Sequence, residues 1–414
     1  MSACPFANLI DPDTYAQGMP YAELRRYREQ GPVVRHDDPR TGVPYWAIVG
    51  QHELDYVSKH PQLFSSAERS PFPSEYAQDM VENVHRKTII GMDPPLHQKV
   101  RRIMRAAFTP SAVDSYEPAF REHARRIVDA VLPRGECEFV EEVAAELPLL
   151  AILDLLGVDV ADRKDFFNWT NTMIFADDPD MSVSELDGQI ASLKVIEYAM
   201  RLAAEHHRAP RKNVLGALLD GRIDGRPLTE EEFGWMFVLT LVGGNESTRT
   251  VIAHGMRLLM ENPEQLQFLV DNPDRIADAC EEILRYNTAF IAMRRTAMQD
   301  VELAGQQIRK GDKILLHYHA VNHDEKVFGE DAMRFDVRRA ERMPELYNEL
   351  RSFGIGQHFC IGSHLARLEL RVMVEEMMPR LRNPRFRAPP RYVRSFFVNG
   401  IKEMRIRFDP VQVA

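Results

Sequence analysis

The stretch Phe353-Gly-Ile-Gly-Gln-His-Phe-Cys-Ile-Gly362 concentrates the chemistry of this chain. Cys360 precedes the helical pattern Ser363-His-Leu-Ala-Arg-Leu-Glu-Leu-Arg371, which places its thiol at a helix N-terminus. Unpaired backbone N–H groups and the positive end of the helix dipole there stabilise anionic sulfur and lower a thiol pKa. Gly354, Gly356 and Gly362 let the backbone pass close to a flat partner or take positive φ. Together these residues describe a socket for a thiolate ligand. A lone cysteine in such a turn is more often a buried core residue; the full ten-residue pattern reverses those odds.

Three further constellations stand elsewhere. His97 and Arg101 are one helical turn apart, two donors that can hold a carboxylate or simply form a solvated basic face. Glu282 and Arg285 lie three residues apart and meet on one helical face, where a charge-assisted fork forms. Gly243-Gly-Asn-Glu-Ser-Thr248 puts two glycines inside a long helix, each costing about 1 kcal/mol relative to alanine, so their placement asks for a reason. Close helix crossing is the ordinary one, and room for a flat cofactor beside the backbone is the rival.

The pattern F-G-x-G-x-H-x-C-x-G resembles the haem-binding loop of the cytochromes P450, and the other motifs follow in that family's order along nearly the whole chain. The resemblance implies heme b (iron-protoporphyrin IX) with Cys360 as the iron's proximal thiolate ligand, Phe353, Gly362 and Gly243 against the cofactor, and His97, Arg101, Arg295 and His358 on its propionates, Arg294 being adjacent to Arg295. It assigns Glu246 to a proton relay and Ser247, where threonine is usual, to a hydroxyl donor at the reacting oxygen. Thr248 shares that task or bonds back to the helix carbonyl. Glu282, Arg285 and Arg334 form a structural triad by the same resemblance. By analogy with the bacterial branch that oxidises steroids, terpenoids and fatty acyl chains, the pocket walls are Phe72, Ile89, Ile90, Val242, Phe290, Ile291 and Val398, an apolar set that core packing would also produce.

The implied reaction is hydroxylation of an apolar molecule with O2, electrons coming from NAD(P)H through a ferredoxin reductase and a ferredoxin. Lys99, Arg102 and Arg105, with Arg351 and Arg367 near Cys360, form a basic patch for an acidic ferredoxin, though a solvated helix face explains the same charges. A non-catalytic haem-thiolate binding or sensing protein is the alternative; it would have no need of Glu246 and Ser247. A cysteine hydrolase built on Cys360 with His358 or His364 lacks an orienting acid and leaves the other motifs unexplained.

Positioning these residues requires a helix-dominated scaffold. Val33-Val34 and Tyr45–Val49 predict two strands around a turn, and Ser111 to Leu132, Ala161 to Phe175 and Glu185 to His207 predict helices, with a loop at 176–180. The longest helix starts after Thr229-Glu-Glu-Glu and stops at Asn262-Pro263. Val301 to Ile308 and Lys313 to Leu316 predict strands, and Asn399-Gly400 a hairpin between Phe396–Val398 and Met404–Phe408. The expected fold class is mainly α with small peripheral β-sheets (α+β), as a single domain over 1–414.

Composition supports a folded protein: of 414 residues, 44% are apolar and 28% charged. The net charge of −10 disfavours nucleic acid as a partner. Cysteines at 4, 137, 280 and 360 show no metal-cluster or disulfide spacing. The N-terminus has no secretory pattern, and the most apolar run, Phe233 to Gly244, is short of the ~20 residues that span a bilayer. A cytoplasmic protein with no membrane anchor is expected.

Overall fold

The computed structural model describes residues 6–38, 41–175, 178–180, 184–210 and 213–412; Cys4 and residues 176–177 of the expected loop lie outside them. Near the N-terminus β1 (Val33–Asp37) and β2 (Pro44–Ile48) pair antiparallel, Val33 opposite Ile48, as their apolar runs predict. Three more strands join them: β3 (Phe64–Ser65), β4 (Ala292–Ala297) and β5 (Lys313–His317), in the order β1-β2-β5-β4-β3. Every residue of the central strand β5 is buried. Separate apolar clusters cover the two faces of this sheet, one around Tyr45, Ala47 and Leu315, the other around Ile48, Ile314 and Leu316.

The helices that matter for the site are α1 (Leu96–Arg105), α2 (Glu146–Leu156), α3 (Arg163–Ile174), α4 (Glu185–Arg208), α5 (Glu230–Glu261), α6 (Ile276–Tyr286) and α7 (Ser363–Met377). They share the largest core. Helix α5 has the predicted limits: Thr229 caps it, with Glu232 closing a capping box, and it runs 32 residues against α2, α4 and α7. Among the described residues no helix is long and apolar enough to cross a membrane.

Four expectations are corrected. The helix expected over 111–132 divides into Pro110–Asp114 and Glu117–Val131. The Thr109 hydroxyl caps the first piece, and prolines at its start and in the first turn of the second open new helices. Val301 to Ile308 is a tight hairpin, Val301–Leu303 against Gln306–Ile308, because Ala304 and Gly305 both take positive φ, 49° and 76°. No hairpin forms around Asn399-Gly400: Asn399 donates from its backbone to the Ala289 carbonyl and from Nδ2 to that of Thr288, which draws the segment to α6's outgoing chain. Ile401–Glu403 pairs with Arg391–Tyr392 instead, and Arg405–Asp409 with Arg382–Phe386 and Glu136–Glu138.

The last correction concerns the structural triad. Arg285 forks onto Glu282 at 2.7 and 2.9 Å, with both side chains fully buried, as expected. The third member is Arg339, 1% exposed, whose Nε lies 3.1 and 3.2 Å from the two Glu282 oxygens. Arg334 contributes only its backbone carbonyl, accepting from both arginines, while its side chain is exposed.

Candidate active site

Residues 356–358 form a single 3-10 turn between the Phe353 region and α7, and Gly362 is the N-cap of α7. Gly356, at φ +74°, packs so closely on the helix Gln51–Lys59 that a Cβ would stand 2.6 Å from the Ser58 carbonyl oxygen. The Cys360 backbone N–H donates to the Phe353 carbonyl at 2.9 Å, closing the loop. Arg367 lies over the Phe353 ring at 4.5 Å. Cys360 is exposed, yet burial pushes its thiol pKa up, against the opposing pull of the Gly362 N–H, Arg101 and Arg367. A side chain both accessible and desolvated faces an inner recess, not the outer surface. The lowered thiol pKa expected from the helix terminus alone is therefore reversed by desolvation.

Four basic side chains from three elements, His97 and Arg101 of α1, Arg295 of β4 and His358, gather beside that thiol. The rings of His97 (α1) and His358 are 4.3 Å apart. Burial, then Arg101 and Arg295, pull His97 down to about 4; burial, then Arg295, His97 and Arg101, hold His358 well below its ordinary value. Arg295 of β4 is 5% exposed and makes one side-chain hydrogen bond among the described residues, to the Arg294 carbonyl at 2.7 Å. His97 Nδ1 is buried without a partner. The nearby acid, Asp93, is committed to Ser65 and to the Ser66 N–H at 2.9 Å. Donors in this excess, left under-satisfied in a buried place, fit a ligand bearing carboxylates. Arg294 turns the other way, to Glu75, which resolves the choice between the two arginines.

Helix α5 supplies the facing side. Gly243 is exposed although residues on either side along α5 are largely buried, and a Cβ there would meet nothing within 4 Å. Ser247, one turn on, shares this face, its hydroxyl donating to the Gly243 carbonyl at 2.8 Å. Gly244 serves the other purpose: its Cβ would stand 2.7 Å from Ile152 Cδ1, so it allows α5 to cross α2 closely. Thus one glycine leaves room and one packs. The accessible thiol, the under-satisfied donors and the open glycine together fit a flat iron cofactor with two propionates.

Glu246 and Thr248 do not join Ser247. Glu246 is fully buried, and its Oε1 accepts from Arg249 Nε and Nη2 at 3.0 and 2.6 Å, leaving Oε2 unpartnered. Arg249 is fixed in turn by Asn171 Oδ1 of α3 at 2.8 Å and by the Phe175 ring. Burial pushes the Glu246 carboxyl up to about 7, despite Arg249. Thr248 is 3% exposed and leans back on the Gly244 carbonyl at 3.5 Å.

The residues expected to wall a pocket fall into different clusters. Phe72 and Phe290 both pack on Phe397, at 5.2 and 4.9 Å between ring centres, and Val398 bridges Phe290. Ile89, Ile90 and Val242 pack in or against the main core. Ile291 is corrected: it is fully buried in the core cluster of Tyr45 and Leu315. Sequence reasoning missed Phe397 as the ring that joins Phe72 and Phe290, Arg249 as the partner of Glu246, and Ser66, whose hydroxyl lies 3.1 Å from His358 Nε2. The only signals were Phe397's place beside Val398 and the i, i+3 spacing of Glu246 and Arg249.

The basic patch shrinks. Arg351 and Arg367 are ion-paired to Asp55 and Glu281 and largely buried, and Lys99 pairs with Asp224. Arg102 and Arg105 are exposed, with no ion-pair partner among the described residues.

The family model described as Cytochrome P450 matches residues 188–390. The chain is 35% identical to a steroid C26-monooxygenase of Rhodococcus jostii (strain RHA1), over 97% of this chain and 84% of that protein. It is 32% identical to linalool 8-monooxygenase of Pseudomonas putida, over 97% and 99% of the two chains. Among solved structures, a Mycobacterium marinum cytochrome P450 in complex with pseudoionone aligns with a TM-score of 0.89 at 30% identity, covering 99% of this chain and all of that one.

Proposed function

This chain belongs to the cytochrome P450 family and is a haem-dependent monooxygenase, and from that premise we propose that it hydroxylates a steroid, terpenoid or fatty acyl chain with O2 and electrons passed from NAD(P)H through a ferredoxin reductase and a ferredoxin. It does so as one domain over residues 1–414, in the cytoplasm, with heme b. The observation that carries the reading is the accessible, desolvated Cys360 beside a surplus of under-satisfied donors. The names of the relatives support a steroid or a terpenoid, and the aromatic wall at Phe72, Phe290 and Phe397 supports an apolar substrate in general.

Cys360 would hold the iron, and His97, Arg101, Arg295 and His358 the propionates. When bound, haem supplies the activation of O2 for insertion into a C–H bond. The protein's own residues do the rest. Arg101 and the Gly362 N–H stabilise negative charge on the sulfur. Ser247 offers its hydroxyl on the open face of α5, turning it from the Gly243 carbonyl. Glu246 holds a proton at Oε2, the oxygen that Arg249 leaves free. The aromatic wall excludes water and fixes which carbon is presented.

Purified protein with ferredoxin, reductase, NADPH and 18O2 should place one labelled oxygen on a member of a steroid, terpenoid and fatty acid panel. Binding without any product would instead make it a carrier or sensor. Electron transfer should slow as salt is added and fall by about tenfold or more in an Arg102→Glu/Arg105→Glu variant, as steered association does. Rates indifferent to both changes would remove this docking face.

A further inference from the structure

Residues 70–76 are fastened to the sheet at several points. The Arg294 backbone N–H of β4 donates to the Pro71 carbonyl at 2.7 Å, and its Nη1 donates to the Ser74 carbonyl at 3.3 Å and to Glu75 Oε1 at 2.9 Å. Lys313 Nζ, from β5, donates to the same Glu75 oxygen at 2.9 Å. Burial is unequal: the side chains of Arg294 and Lys313 are 5% and 2% exposed, that of Glu75 35%. Two buried cations thus share one carboxylate, and the loop, not the sheet, supplies it. Burial pushes the Glu75 carboxyl up, but Arg294 and Lys313 outweigh it and the net direction is down. Asp38 also acts on Lys313, more weakly than Glu75 does. Moving the loop away would leave adjacent cations inside the protein without their shared anion, which is strongly unfavourable.

The fastening has a consequence at Phe72, three residues before Glu75. Its ring meets Phe397 edge-on, at 5.2 Å and 87°, and Phe397 in turn packs on Phe290. Neighbouring residues of β4 therefore serve two sites, Arg295 reaching toward His97 and His358 and Arg294 holding the loop. We propose that Glu75 is a positioning residue for substrate: through Arg294 and Lys313 it seats residues 70–76 and so holds Phe72 against Phe397 at the apolar wall. This rests on the reading of that wall as the substrate's place.

The test uses the holoenzyme and two iron-binding probes, imidazole, which needs little beyond the iron, and 4-phenylimidazole, whose ring the wall must accommodate. In Glu75→Gln, amide exchange over residues 70–76 should rise about tenfold. Binding of 4-phenylimidazole should weaken about tenfold, mainly through faster dissociation, with imidazole unchanged. Because this variant also strands two cations, Glu75→Gln/Lys313→Met removes one of them and restores the parent's net charge: its thermal midpoint should return toward the parent while 4-phenylimidazole stays weak. Unchanged exchange over 70–76, equal weakening of the two azoles, or recovered 4-phenylimidazole affinity in the double variant overturns the proposal. Neither probe depends on turnover, so a failure to hydroxylate any lipid is a separate result.

Discussion

Glu246 carries two carboxyl oxygens that the fold treats differently, and its chemistry follows from that asymmetry. Both Arg249 contacts go to Oε1, so a proton on Oε2 neutralises the carboxylate but leaves both hydrogen bonds in place. Burial, opposed by Arg249, brings the pKa to about 7, where the group can both hold and release a proton near neutrality. As pH rises through about 7 the proton is lost, and product per NAD(P)H should fall while peroxide rises. In Glu246→Gln that inflection should vanish, with product formation down on the order of 10²-fold. Persistence of the inflection would assign it to another group. For stability the sign is set by a folded pKa above the unfolded value of 4.5: this group's contribution is complete below 4.5 and declines as pH rises to about 7.

At the scale of elements, α6 and the chain after β5 are held together by a buried knot. Arg285 adds the Asn322, Ala332 and Arg334 carbonyls to its fork on Glu282, and Arg339 adds the Phe328, Asp331 and Arg334 carbonyls. Arg339→Ala leaves Glu282 its fork with Arg285 but removes the second cation from that buried carboxylate and the donors from the Phe328 and Asp331 carbonyls, so it should cost about 3–5 kcal/mol in denaturant unfolding. Arg334→Ala, at an exposed side chain, should stay within about 0.5 kcal/mol. The reverse ranking would restore Arg334 as the third member. Sequence could offer either arginine because both lie at plausible distances from Glu282, and only the chain's path decides which side chain turns inward. What was legible was local: the Thr229 start signal of α5, the apolar runs of β1 and β2, the turn of α1 that aligns His97 with Arg101, the glycines around Cys360. What was not legible joins distant segments. Asn399 is drawn to residues 288–289 and away from a turn, and only the crossing with α2 separates the use of Gly244 from that of Gly243.

Across the whole molecule, buried histidines set the response to acid. His254, His317, His319 and His323 are each at most 2% exposed; burial, with nearby cations such as Arg257, Arg28 and Arg285, brings the first two to about 3 and the others well below their ordinary value. His85, brought to about 4 by burial, makes a fifth outside the haem site. Each is neutral when folded and takes up a proton once unfolded, so its contribution is present above 6.5 and is lost as pH falls from there toward the folded pKa. Glu246 and Glu369, whose carboxyls burial pushes up, act in the opposite direction. The buried histidines outnumber these carboxyls, so the net direction is a stability that falls as pH drops below about 6.5. Against a net stability of about 5–15 kcal/mol, the ~1.4 kcal/mol per pH unit that each such group contributes brings acid unfolding within a few pH units. His323→Asn retains a donor for the His319 carbonyl, which His323 Nδ1 meets at 2.9 Å, but does not titrate. Its stability should fall less steeply with acid, by about 1.4 kcal/mol per pH unit. A slope identical to the parent's would show that His323 is not among the groups that acid unfolding protonates.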